Sequence, residues 1–114
     1  MKSIYYSTIR ALLADHMRKD RKALGMTQSQ MAEKLELDLR SYSNVENDKS
    51  LCSTMTLLLY LLYICPDSGA LMEEIKGEMD VLKKAHEEAL KEEQRRLEEE
   101  AGASKQEKAD VQEA

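Results

Sequence analysis

Residues 27–49 read TQSQMAEKLELDLRSYSNVENDK. The pattern is that of two short helices joined by a tight corner. Thr27 can cap a helix N-terminus by accepting a backbone N–H bond, and Gln30 follows three residues later, the spacing of a capping box. Met31, Ala32 and Leu35 then fall on one face at helical spacing. Glu36-Leu37 makes the corner, and Leu37 can plug the gap between the two helices. Asp38 suits the cap of the next helix, where its charge also complements the positive end of the helix dipole.

At about 100° per residue, the second of these helices has two faces. Tyr42 and Val45 point one way, with Glu46 beside them. Arg40, Asn44 and Asn47 point the other way, flanked by Ser41 and Ser43. Arg, Asn and Ser all hydrogen-bond base edges or phosphates. A polar outer face on an isolated helix is most simply a solvated one. Behind a capped helix and a corner, the same face points to a helix that inserts into the DNA major groove.

The surrounding chain supplies more helices and no competing strand pattern. A first helix is expected from about Ser7 to Leu24, with Ile9, Leu12, Leu13, Met17 and Leu24 as its apolar face. The second and third occupy about 28–35 and 39–47. Asn47-Asp48-Lys49-Ser50 reads as a loop, and a fourth helix runs from near Ser53 through MTLLLYLLYIC to the break at Pro66, the only proline. Asp67 or Ser68 can cap a fifth helix extending to about Glu100. Gly102 and the polar residues after it read as a disordered tail. The expected organisation is residues 1–66 as the helix-turn-helix unit, 67–100 as a C-terminal helix and 101–114 as an acidic tail.

Residues 17–49 resemble the helix-turn-helix domains of the lambdoid phage repressors and the related xenobiotic-response-element regulators of the Cro/C1 type. Met17-Arg18 and Arg21 match the end of the family's first helix, and Gly25-Met26-Thr27-Gln28 the entry into its second. Met31-Ala32-Glu33-Lys34-Leu35 matches the second helix, and Ser41, Val45, Glu46, Asn47 and Lys49 the third helix and its exit. The resemblance covers about a third of the chain directly, and roughly residues 9–65 with the flanking helices. It implies an all-α fold, a five-helix lambda-repressor-like domain, here with a long C-terminal helical extension.

The resemblance also implies roles. Gln28 would bond a phosphate and reach toward a neighbouring base. Arg40, Ser41 and Asn44 would face the groove floor, and Asn47 and Lys49 would hold the DNA backbone. With Thr27, Leu39 and Ser43, these residues make up the expected DNA-facing set. Arg21 and Glu46 would form an internal ion pair that serves the fold. Three positions depart from the family pattern. Glu36 replaces a frequent corner glycine, so the turn needs a left-handed residue or a different path. Leu39 replaces a residue that is often polar; it is expected nearer the core face, within reach of a thymine methyl. Asp48 replaces a glycine after the third helix, where Asp tolerates the left-handed conformation but adds charge near phosphates.

Charge and composition fit this reading once divided along the chain. The 114 residues carry a net charge of −5. Residues 1–66 hold nine Lys/Arg against seven Asp/Glu, giving +2, and residues 67–114 hold eight against fifteen, giving −7. Arg18, Lys19, Arg21 and Lys22 form a basic group for non-specific phosphate attraction. A surplus of only +2 points to salt-sensitive binding that relies on a dimer. The N-terminal MKSIYYSTIRALL has neither an unbroken apolar segment nor a cleavage site, so no secretory signal is read there. The longest apolar stretch, Met55 to Cys65, is eleven residues, short of the roughly 20 that span a bilayer. Cys52 and Cys65 lack metal-ligand spacing and read as reduced, buried thiols of a cytoplasmic protein. His16 and His86 stand apart from any nucleophile or metal partner, His16 on a helix surface and His86 on the solvated extension. No glycine-rich phosphate loop is present. An enzyme, a cofactor or a metal is therefore not expected.

The fourth helix is apolar almost all round, with Leu57, Leu58, Leu59, Leu61, Leu62 and Ile64 joined by Tyr60 and Tyr63. A large side chain left in water forgoes about 1.5–3 kcal/mol of burial, so a second face needs cover from the fifth helix, a second protomer or both. Leu71, Met72, Ile75, Met79 and Leu82 recur at three- and four-residue spacing on the fifth helix. Leu58, Leu62, Leu71, Ile75, Met79 and Leu82 are the expected homodimer interface. Beyond Lys84 the apolar positions thin out, and Glu87–Lys91 and Glu92–Arg96 have the favourable i, i+4 order. A heptad seam there would have to include His86 and Glu93, so a solvated helix is read in preference to a short coiled coil. The expected partners are double-stranded DNA and a second copy of the chain, with no membrane. The function expected is that of a bacterial or phage-type repressor. Two alternatives stay open. One is an antitoxin-type regulator whose acidic C-terminal helix takes a protein partner. The other is a protein-interaction module of this fold without DNA binding.

Overall fold

The computed structural model describes residues 3–113, with side chains over residues 3–102. The order is α1 (Tyr6–Ala23), α2 (Gln28–Lys34), α3 (Leu39–Glu46), α4 (Thr54–Tyr63) and α5 (Ser68–Glu113), with no strand among the described residues. The first four helices start and stop within about two residues of the positions read from the sequence. The chain divides into one compact unit, Met1–Met79, and a second, Asp80–Ala114. The tail expected over 101–114 lies, from residue 103 on, outside the residues whose side chains are described.

The first unit closes over a single apolar core. Leu13 and Met17 of α1, Met31 and Ala32 of α2 with the following Leu35, Tyr42 and Val45 of α3, Tyr60 of α4 with the following Ile64, and Leu71 of α5 are all buried. Leu37 packs against this cluster from the corner. Burying each large apolar side chain is worth about 1.5–3 kcal/mol. α3 rests on α1 and α2. Leu24 was expected on the apolar face of α1; it is instead exposed, because α1 ends at Ala23 and the chain turns away at Gly25.

The same device ends three helices. After α1, the Gly25 N–H bonds the Lys22 carbonyl at 3.1 Å and the Met26 N–H bonds the Arg21 carbonyl at 3.0 Å. After α2, Glu36 and Leu37 donate to Glu33 and Ala32 at 3.1 and 2.8 Å. After α3, Asp48 and Lys49 donate to Val45 and Asn44 at 3.2 and 2.8 Å. Each pair is a Schellman closure, which satisfies orphan carbonyls by placing one residue in the left-handed conformation. Gly25 adopts it at φ 68°, Glu36 at φ 56° and Asp48 at φ 59°. The chain keeps the corner path at Glu36 and accepts a left-handed side chain there, at a cost of roughly 1–2 kcal/mol.

α4 is covered on one side only. Thr56 and Tyr60 are buried, and Leu57, Leu59 and Leu61 pack partly against the core. Met55, Leu58 and Leu62 recur at helical spacing on the outer side, with Leu58 46% and Leu62 69% exposed.

Candidate nucleic-acid interface

The start of α2 is set by a reciprocal capping box. The Thr27 hydroxyl accepts from the Gln30 N–H at 3.1 Å, and the Gln30 side-chain carbonyl accepts from the Thr27 N–H at 2.9 Å. Gln28 follows as the first residue of α2, half-buried. Asp38 holds the N-cap position of α3 with extended backbone but closes no side-chain cap hydrogen bond. The Ser41 hydroxyl beside it holds the Asp38 carboxyl below the usual carboxylate range.

α3 buries Tyr42, Val45 and Glu46 and turns its other side outward. Arg40 and Asn47 are exposed, and Ser41, Ser43 and Asn44 are half-buried. At the helical period, Arg40, Asn44 and Asn47 share one face. The Asn47 amide donates to the Ser43 hydroxyl at 3.1 Å, so these two side chains are held together along the helix surface. Lys49 is exposed just after the Schellman closure. Leu39, expected nearer the core, is 48% exposed. α3 meets the core over its last turns, at Tyr42 and Val45, and Leu39 stands one turn before them.

A buried ion pair fixes α3 to α1 beneath this face. Arg21 donates from Nε and Nη2 to the two Glu46 carboxylate oxygens at 2.9 and 2.7 Å, and from Nη1 to the Met26 carbonyl at 3.0 Å. The two side chains are 14% and 3% exposed. Burial acts to raise the Glu46 carboxyl, but the hydrogen bonds from Arg21, with the polar groups of Tyr42 and Gln28 nearby, outweigh it and hold the group below its ordinary range. The Tyr42 hydroxyl lies buried without an aligned hydrogen-bond partner. Burial first, and then the neighbouring Glu46, push its ionisation well above that of a free phenol.

Three further polar contacts on α1 had no signal in the sequence. Arg10 donates from Nε to the Asp48 carboxylate at 2.8 Å, and its guanidinium sits 5.3 Å from the centre of the Tyr6 ring. The Tyr60 hydroxyl donates to Asp20, and burial together with this carboxylate pushes the phenol upward. His16, expected on an open helix surface, lies half-buried with Nε2 2.9 Å from Glu74 of α5. Partners separated by 38, 40 and 58 residues leave no periodic trace in the sequence.

Residues 17–62 match the family model described as helix-turn-helix. This segment is a helix-turn-helix domain of the Cro/C1 type. A helix-turn-helix of this type is a DNA-binding domain of transcription regulators. Among solved structures, the chain is similar to the clp gene regulator ClgR from Corynebacterium glutamicum. The identity is 20% over 70% of this chain and 85% of that one, with a TM-score of 0.51. At that identity the likeness shows a shared fold. No curated protein matches the chain. The helix-turn-helix domain takes in α2, α3 and most of α4, and its outward side is the polar face described above. No helix among the described residues is long and apolar enough to cross a membrane. Nor do His, Cys, Asp and Glu gather among them into a group that could hold a metal ion.

Of the side chains assigned by sequence to a dimer interface, Leu58 and Leu62 are exposed, and Ile75, Met79 and Leu82 are half-buried. Leu71 is buried within the protomer's own core.

Proposed function

We propose that the protein is a homodimeric repressor that lays α3 in the DNA major groove, two copies reading half-sites about one helical turn, roughly 34 Å, apart. The observation that carries this reading is the division of α3. Its apolar side and Glu46 are anchored in the core, while Arg40 and Asn47 are exposed and Ser41 and Asn44 half-buried on its outer side.

In this docking Arg40 and Asn44 read bases. Leu39, exposed at the start of α3, contacts a thymine methyl, and Ser41 and Ser43 bond the groove or its margins. Thr27, Gln28, Asn47 and Lys49 hold phosphates and set the register. The outer side of α4, with Leu58 and Leu62, supplies the apolar surface of an isologous dimer. Ile75 and Met79 are its neighbours in the reading. A dimer seated over a promoter represses by excluding polymerase.

The test is a selection of duplexes from a random pool, followed by a gel shift on the selected sequence. The expected result is a pseudo-palindrome with half-sites one turn apart. Affinity equal to that for unselected DNA would overturn the reading. In vitro transcription from a promoter carrying the selected site separates repression from activation.

A further inference from the structure

We infer that Arg10 is a positioning residue for DNA, which masks the Asp48 carboxylate at the exit of α3 so that this loop can approach a phosphate. The inference rests on the DNA-binding reading of α3.

Asp48 is committed to its place by the backbone. It is the left-handed residue of the closure that ends α3, at φ 59°, and its side chain is 45% exposed. Lys49, the next residue, is tied by its N–H to Asn44. A carboxylate at this point opposes the phosphate that Lys49 is placed to attract. Arg10 answers that charge from a different helix, with Nε 2.8 Å from Asp48 Oδ1. The Tyr6 ring lies under the guanidinium, a cation–π arrangement that favours one position for a long side chain.

Stability alone does not account for the arrangement. An ion pair this open to solvent contributes little to folding. What it changes is the sign of the local field. With Arg10 in place, Asp48 is neutralised and Lys49 leaves the loop net positive; without it, the loop is neutral and a bare carboxylate faces the DNA. Such a change acts through a partly screened Coulomb term and so fades as salt rises.

The test is a double-mutant cycle on the full chain, using Arg10→Ala, Asp48→Asn and both together, read as affinity for the selected duplex at low and high salt. Asn accepts the left-handed conformation that Asp48 adopts, so the closure persists. Arg10→Ala is expected to weaken binding roughly five- to tenfold at low salt and less at high salt. Asp48→Asn should restore most of that loss in the Arg10→Ala background, and Arg10→Lys should largely preserve affinity. An equal gain from Asp48→Asn in both backgrounds would mean that the two residues act independently, and the masking role would be wrong. If the parent chain binds no duplex selectively, the DNA-binding reading falls, and this inference with it. A parent that binds, with an additive cycle, removes the masking role alone.

Discussion

Arg21 and Arg40 carry the same charge and do different work, because one points into the core and the other out of it. Arg21→Ala leaves Glu46 buried without its bidentate partner, a loss expected to cost about 3–5 kcal/mol. Replacing Arg21 and Glu46 together by apolar residues of similar size should cost less, which thermal denaturation of the three proteins will show. The pair also sets a pH dependence. The folded Glu46 carboxyl lies below its ordinary range, so its contribution is present above the ordinary carboxylate pKa and is lost as pH falls through the folded value. The parent should therefore lose more stability than the apolar double variant as pH drops from about 7 to about 3. For Arg40, Arg40→Ala should relax preference at one base pair by about 1–3 kcal/mol. Lys49→Ala should weaken all DNA comparably and lower the salt slope by about one unit. Competition gel shifts at several salt concentrations measure both, and an unchanged base preference in Arg40→Ala would rule out the assigned docking.

Each short helix depends on how its ends are finished. α2 and α3 have seven and eight residues, too few to be stable alone in water. Their caps and closures therefore matter more than propensity. The closures after α2 and α3 place Glu36 and Asp48 in the left-handed region. Glu36→Gly should relieve the strain and raise stability by about 1 kcal/mol, with the corner path unchanged. Gly25→Ala should act in the opposite direction by a similar amount, even though an added Cβ meets nothing within 4 Å. Denaturant midpoints of the two variants check both signs. The same change at Asp48 would mix strain relief with the loss of Arg10's partner, which is why Asp48→Asn is the better probe there.

Within the first unit the outer stripe of α4 is uncovered. Met55, Leu58 and Leu62 are apolar, adjacent in helical register and exposed. Leu71 does not contribute to it, being already part of the protomer's core. In the dimer reading, Leu58→Glu with Leu62→Glu should give a monomer that keeps its helical content and binds operator poorly. Sedimentation and circular dichroism read the two properties separately. A parent that sediments as a monomer at micromolar concentration, free and on DNA, would rule out the two-copy arrangement.

The first four helices were legible in the residues because their information is local. Thr27 and Gln30 announce a cap, the apolar residues of α1, α2 and α3 recur at helical spacing, and Pro66 stops the run that forms α4. The polar side of α3 is legible for the same reason, since a helical period alone brings Arg40, Asn44 and Asn47 to one face. Other features depend on which helices meet. Leu24 has the composition of a core residue and lies exposed, because the turn at Gly25 carries it off the face of α1. Leu39 is likewise apolar and open, because α3 meets the core only from Tyr42 onward. His16, Asp20 and Arg10 acquire partners 38 to 58 residues away. Contacts between residues so far apart carry no periodicity, and they form only when packing of the apolar faces has brought α1 against α4, α5 and the exit of α3.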